Sequence, residues 1–157
     1  MRIAVAAVVA GLVTAVASTA QAAFPSQSAS VAASTYKPGA RSALTFQMNY
    51  LMQCGNPGAG PLVLKLPTAI AIPASLGPSS VLVNGSPAAS LKKHGSTLTV
   101  GIPQKTAGIT CDVVALGKLT VVIPRAAGLH NPKANGIYSF RVTIGPLDVV
   151  PKIRISG

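Results

Sequence analysis

Side chains able to do chemistry are scarce in this chain. Its 157 residues include thirteen Lys and Arg, two His, two Cys and only two acids, Asp112 and Asp148. Glycoside cleavage needs two carboxyl groups flanking one bond, and Asp112 with Asp148 is the sole pair on offer. A Ser-His-Asp triad has its residue types, because Ser is abundant. No Gly-x-Ser-x-Gly elbow marks a nucleophile, however. A Cys-His nucleophile requires an unpaired Cys. His94 and His130 both read as exposed turn residues rather than bases, His130 lying beside Asn131-Pro132. No Gly-rich phosphate loop leads into a helix. The expectation is no catalytic residue, no metal ligand set and no cofactor.

Charge is the stronger signal. The net charge is +11, and a surface of that sign attracts polyanions. Nucleic-acid platforms also need exposed rings for stacking. Phe46, Tyr50, Tyr138 and Phe140 all read as core, and the chain has no Trp. What remains is a basic face. Lys65, Arg141, Lys152 and Arg154 occupy outward positions of predicted strands, and Lys92 and Lys93 lie in a predicted turn. These six are the candidate polyanion-binding residues, with a merely solvated face as the alternative.

The two cysteines, Cys54 and Cys111, bear on the compartment. Residues 1–22 read as a secretory signal peptide: Met1-Arg2, an apolar run over 3–17, then small residues at Ala20 and Ala22. That run is short of the ~20 residues that span a bilayer, so no lasting membrane insertion is expected. Removing Arg2 with the leader leaves a net charge of about +10. Residues 23–157 are the size of one domain. Export favours pairing of Cys54 with Cys111. The bond would close a loop of about 57 residues, worth at most about 4 kcal/mol. Two free thiols is the alternative; a metal site would have to recruit His94 and His130.

The positioning elements are strands. Leu44, Phe46, Met48 and Tyr50 alternate with Ala43, Thr45, Gln47 and Asn49, which predicts a half-buried strand over 42–51. The same period appears over 62–66, 97–102, 118–123, 137–144 and 149–156. Weaker strands are read over 30–36 and 80–83. Leu66-Pro67, Ile102-Pro103 and Ile123-Pro124 each end a run, because Pro cannot donate to a ladder. Asn84-Gly85 predicts a tight turn with positive φ, and 92–95 reads as another turn. No long window has helical periodicity. About seven to nine short strands with frequent turn signals predict an all-β, antiparallel two-sheet sandwich.

Several motifs then match a known module. They are Val81-Leu82-Val83-Asn84-Gly85, Thr97-Leu98-Thr99-Val100 with Ile102-Pro103, Ile123-Pro124, Gly128-Leu129 with Asn131-Pro132, and Gly136-Ile137-Tyr138. As a set they resemble an immunoglobulin-like β-sandwich module of bacterial secreted and surface-layer-type proteins, over about Ser28 to Ile155. The resemblance implies a fold and an extracellular setting, and no active site. It implies a structural corner at Asn131, Pro132, Gly136 and Tyr138, with the Tyr138 hydroxyl bonded back to the corner backbone. The segments around Cys54 and Cys111 depart from the module as insertions. If every connection reverses direction, these insertions fall at opposite ends of the sandwich; in that case a short strand has escaped notice, the Cys residues sit within strands, or they do not pair. The function expected is a secreted or cell-surface (or periplasmic) non-enzymatic domain with a structural or interaction role, its partner an acidic polymer or another surface protein. The alternative is a polyanion-binding module. A strand-exchanging pilus subunit is disfavoured by the final strand, which completes the fold.

Overall fold

The computed structural model describes residues 28–49, 61–103, 118–145 and 147–157. The predicted leader and both cysteines lie outside them. The described chain is all-β and antiparallel. Its strands are β1 (Ser28–Ala33), β2 (Leu44–Asn49), β3 (Leu62–Lys65), β4 (Leu82–Val83), β5 (Ser86–Pro87), β6 (Ser90–His94), β7 (Thr97–Gly101), β8 (Lys118–Ile123), β9 (Gly136–Ser139), β10 (Arg141–Ile144), β11 (Leu147–Val149) and β12 (Lys152–Ile155). One sheet runs β1-β2-β8-β4-β5 and a second runs β11-β10-β3-β7-β6, while β9 pairs with β12. Helix among the described residues is confined to two single 3-10 turns, Pro78–Ser80 and Arg125–Ala127.

Period-two alternation builds the core. Leu44, Phe46 and Met48 of β2 lie opposite Ile123, Val121 and Leu119 of β8. On the second sheet Leu62 and Leu64 face Val100 and Leu98. All ten are buried, together with Val142, Ile144, Ile153 and Ile155, in one cluster. Burial of each such side chain is worth about 1.5–3 kcal/mol. Phe46 and Phe140 join the two layers edge to face, with ring centroids 5.7 Å apart and planes at 72°, an arrangement aromatic quadrupoles favour.

Among the described residues twelve strands replace the expected seven to nine, for three physical reasons. First, β4 and β5 form a two-residue hairpin at Asn84-Gly85, with φ of 46° and 84°. Two positive φ values match the right-handed strand twist. Second, residues 90–94 form strand β6, and the turn lies at Gly95, with φ of 56°. An edge strand pairs on one side only, so its sequence need not alternate strongly. Third, the segments 136–144 and 147–155 are each broken once. Ile155↔Gly136, Lys152↔Ser139, Val142↔Val149 and Ile144↔Leu147 share one register. The two segments are therefore a single long hairpin. Phe140 N–H donates to Pro151 O at 2.9 Å, but Pro151 has no N–H to return, and the ladder is interrupted there.

β6 also corrects the placement of the two insertions. Asn49, before the first insertion, is the direct partner of Lys118, which follows the second. Leu62, after the first, is the partner of Val100, just before the second. Both cysteine-bearing segments therefore connect the same two places in the two sheets. The opposite-end expectation fails because the unrecognised β6 adds one reversal of the chain.

Candidate functional site: a basic hairpin face and a clamped corner

The corner is built around Asn131, only 3% exposed. Its side-chain Nδ2 donates to the carbonyls of Thr35 at 2.7 Å and Lys37 at 3.0 Å. Its own N–H reaches Ala40 O, while Gly39 N–H reaches Pro132 O and Ser42 N–H reaches Leu129 O. Residues 129–132 are thereby stitched to the connection between β1 and β2. Gly128 enters this segment with φ of 84°, a conformation a side chain would strain. Tyr138 Oη donates to Ala134 O at 2.8 Å. Gly136, two residues before it, opens β9. His130 Nδ1 faces Gly39 O at 3.0 Å. A carbonyl only accepts, so that nitrogen carries the proton, and the ring serves the corner.

The outward side of the long hairpin holds three of the six candidate cations, with a fourth on the neighbouring strand. Arg141 on β10 stands directly opposite Lys65 on β3. Further along the same hairpin, Lys152 lies opposite Ser139 and Arg154 opposite Ile137. All four are exposed. Ile137 and Val150, at 60% and 53% exposure, are two of the three exposed large apolar side chains among the described residues. Both interrupt this basic file. Lys92 lies apart, on β6 at the far edge of the sheet, opposite Thr99. Lys93 points elsewhere: its Nζ donates to the carbonyls of Pro73 and Ala74, so it caps a Pro-rich loop.

The acid on this face is Asp148. Arg141 Nε donates to its Oδ1 at 2.7 Å, Arg141 Nη2 reaches its Oδ2, and Thr143 Oγ1 approaches Oδ1 at 3.4 Å. The Arg141 hydrogen bond, helped by the Arg141 charge and the Thr143 hydroxyl, holds the Asp148 carboxyl below its usual range against the opposing effect of desolvation. The same contact raises Arg141. On the β10–β11 ladder Asp148 stands opposite Thr143, diagonal to Arg141.

The other sheet is different in kind. Its outward rows read Ser30, Gln47 and Thr120, then Ala32, Thr45, Val122 and Leu82. None is charged. Among the described residues, no three His, Cys, Asp or Glu gather as a metal site would require.

No family model matches this chain, and no curated protein sequence does. A solved structure is similar to it. In fold, this chain is similar to BslA. That structure is described as a bacterial hydrophobin; the identity is 17%, the match covers 82% of this chain and 98% of that one, and the TM-score is 0.50. At that identity the likeness to BslA bears on the fold alone. It agrees with the all-β arrangement described above. No helix among the described residues is long and apolar enough to cross a membrane.

Two predictions concern these contacts. Asn131→Ala removes two hydrogen bonds and strands two carbonyls, and should cost about 2–3 kcal/mol; Tyr138→Phe should cost about 1 kcal/mol. Urea unfolding measures both, and equal effects would contradict the ranking. The Arg141–Asp148 pair should contribute in full above the ordinary carboxylate pKa of about 3.9, and its contribution should be lost progressively as pH falls through the lowered native value. Melting temperatures of the protein and its Asp148→Asn variant should therefore differ slightly at pH 6 and coincide near pH 2. A difference that grows in acid would contradict the assignment.

Proposed function

We propose that the protein is an exported, non-enzymatic immunoglobulin-like β-domain with a structural role at the cell exterior, acting at an interface. The observation that carries this reading is the shared rooting of the two insertions at the Asn49–Lys118 and Leu62–Val100 pairs. Their sequences hold Tyr50, Leu51, Met52, Ile109, Val113, Val114 and Leu116 against only Lys105 and Asp112 as charges. These large apolar residues are thus tethered to one pair of roots, on a chain whose remaining charge is strongly positive. Segregation of this kind makes a chain amphiphilic, and contiguous exposed apolar surface marks interaction sites. Similarity of fold to a protein described as a bacterial hydrophobin supports the same reading.

In this reading Cys54 and Cys111 pair. Cys54 lies five residues beyond Asn49 and Cys111 seven before Lys118. Extended chain reaches about 17 Å and 24 Å over those lengths, whereas the roots are direct cross-strand partners only about 5 Å apart. The bond forms when the two thiols lose two protons and two electrons to an exchanging disulfide oxidant, which is reduced to its dithiol.

Two experiments test this. The exported chain should lower the surface tension of a pendant drop at micromolar concentration, and Leu51→Lys with Val114→Lys should slow that fall several-fold; identical curves would overturn the interfacial role. Peptide mapping without reductant should recover a Cys54–Cys111 cross-linked peptide. Two free thiols would end the pairing without touching the interfacial result.

A further inference from the structure

We infer that the outward side of the β9–β12 hairpin, with Lys65 beside it, is a docking surface for a linear anionic polysaccharide. The inference is independent of the interfacial role, which concerns the insertions.

The first ground is the arrangement of charge. Lys152 and Arg154 are two residues apart on one strand, a spacing of about 6.8 Å. From the Arg141 position to the level of Arg154 is four residues of the same hairpin, about 13 Å. Lys65 adds a cation on the neighbouring strand, directly opposite Arg141. Three of them form a file along one element with Lys65 beside it, and the outward rows Ser30–Gln47–Thr120 and Ala32–Thr45–Val122 of the opposite sheet carry no charge. A file matches a ligand whose charges are also strung along its length.

The second ground is what lies between the cations. Ile137 faces Arg154 across the ladder. Val150 lies between Asp148 and Lys152 in the chain, and both apolar side chains are more than half exposed. Sugar rings present C–H surface between their acidic substituents, and alternating cation and aliphatic contacts suit that pattern. Nucleic acid is less well served, because successive bases need a row of exposed rings. The exposed ring among the described residues is Tyr36, whose carbonyl accepts from Ser156 N–H beyond the end of β12, and Tyr138 on β9 is tied to Ala134 O. A bilayer is less well served too, because Ile137 and Val150 lie within the file instead of projecting beyond it.

The third ground is Asp148. Its two-point contact with Arg141 occupies the guanidinium fork that would otherwise grip a sulfate or carboxylate. Lys65, Lys152 and Arg154 have no such partner among the described residues. Arg141 therefore contributes to docking only when Asp148 is displaced, and Asp148 acts as an attenuator of the surface.

Two charge-matched pairs of substitutions test the surface. Binding to heparin and to alginate would be measured across a salt series. The Lys152→Gln, Arg154→Gln protein should bind about tenfold more weakly, with the slope of log K against log salt reduced by about two. The Lys92→Gln, Arg125→Gln protein loses the same charge elsewhere and should bind within about twofold of the original. Asp148→Asn should strengthen binding a few-fold and steepen the slope by about one. Equal weakening by the two double variants would overturn the inference in favour of bulk charge. So would retention by anionic phospholipid vesicles or poly-dT at salt concentrations that release both polysaccharides. Weakening by Asp148→Asn would overturn the attenuator role.

Discussion

The junction of Phe140 and Pro151 decides how the second half of this molecule is laid out. Phe140 sends its ring into the core, where it meets Phe46 of the opposite sheet edge to face. Its N–H is taken by the Pro151 carbonyl. Pro151 cannot complete the exchange, so the ladder breaks at that point although the register runs on unchanged. The hairpin is consequently one element in two parts. One part belongs to the five-stranded sheet, and the other extends past β3 as a two-stranded ribbon. Residues on both parts keep the same inward and outward sense, because register and pleat are continuous. That is why Ile153 and Ile155 remain buried while Lys152 and Arg154 remain exposed, and why cations far apart in sequence share a surface with Lys65.

A buried amide does comparable work at the corner. Asn131 is one of few buried polar residues, and its two donated hydrogen bonds bind the β1–β2 connection to the approach of β9. Buried donors must be satisfied, and here they are satisfied by carbonyls far away in sequence. Tyr138, bonded to Ala134, closes the same corner locally. Together these contacts turn what reads as flexible turn chemistry into a fixed joint. Little freedom is left to His130, whose ring is engaged with Gly39.

Much of the fold was legible. The strand over 118–123 matches β8 residue for residue, and the inward residues of β2, β3, β7 and β10 follow their alternation. Asn84-Gly85 forms the tight turn its φ preferences require. What escaped was β6. Ser90, Lys92, Lys93 and His94 carry no apolar period, and Leu91 is the lone large apolar side chain. An edge strand is specified by its neighbour's unpaired backbone groups, which a reading of side chains does not contain. That one omission reversed the deduced placement of both cysteine insertions. Of the basic residues, outward positions were read correctly for Lys65, Arg141, Lys152 and Arg154. The role of Lys93 was not, because the carbonyls it caps belong to a Pro-rich loop twenty residues away.

By itself the sequence determined that the chain would be an antiparallel all-β protein, strongly basic and poor in catalytic residue types. Alternation, Pro stops and composition are local properties, and they survive without knowledge of partners. Only the tertiary structure decided which strands neighbour one another. Strand order depends on long-range pairing, where backbone hydrogen bonds are chemically alike and selection comes from the packing of two whole sheets. For that reason the grouping of Lys65 with three cations of one hairpin face, the coupling of Arg141 to Asp148 and the common roots of the two cysteine segments emerged only when the sheets were assembled.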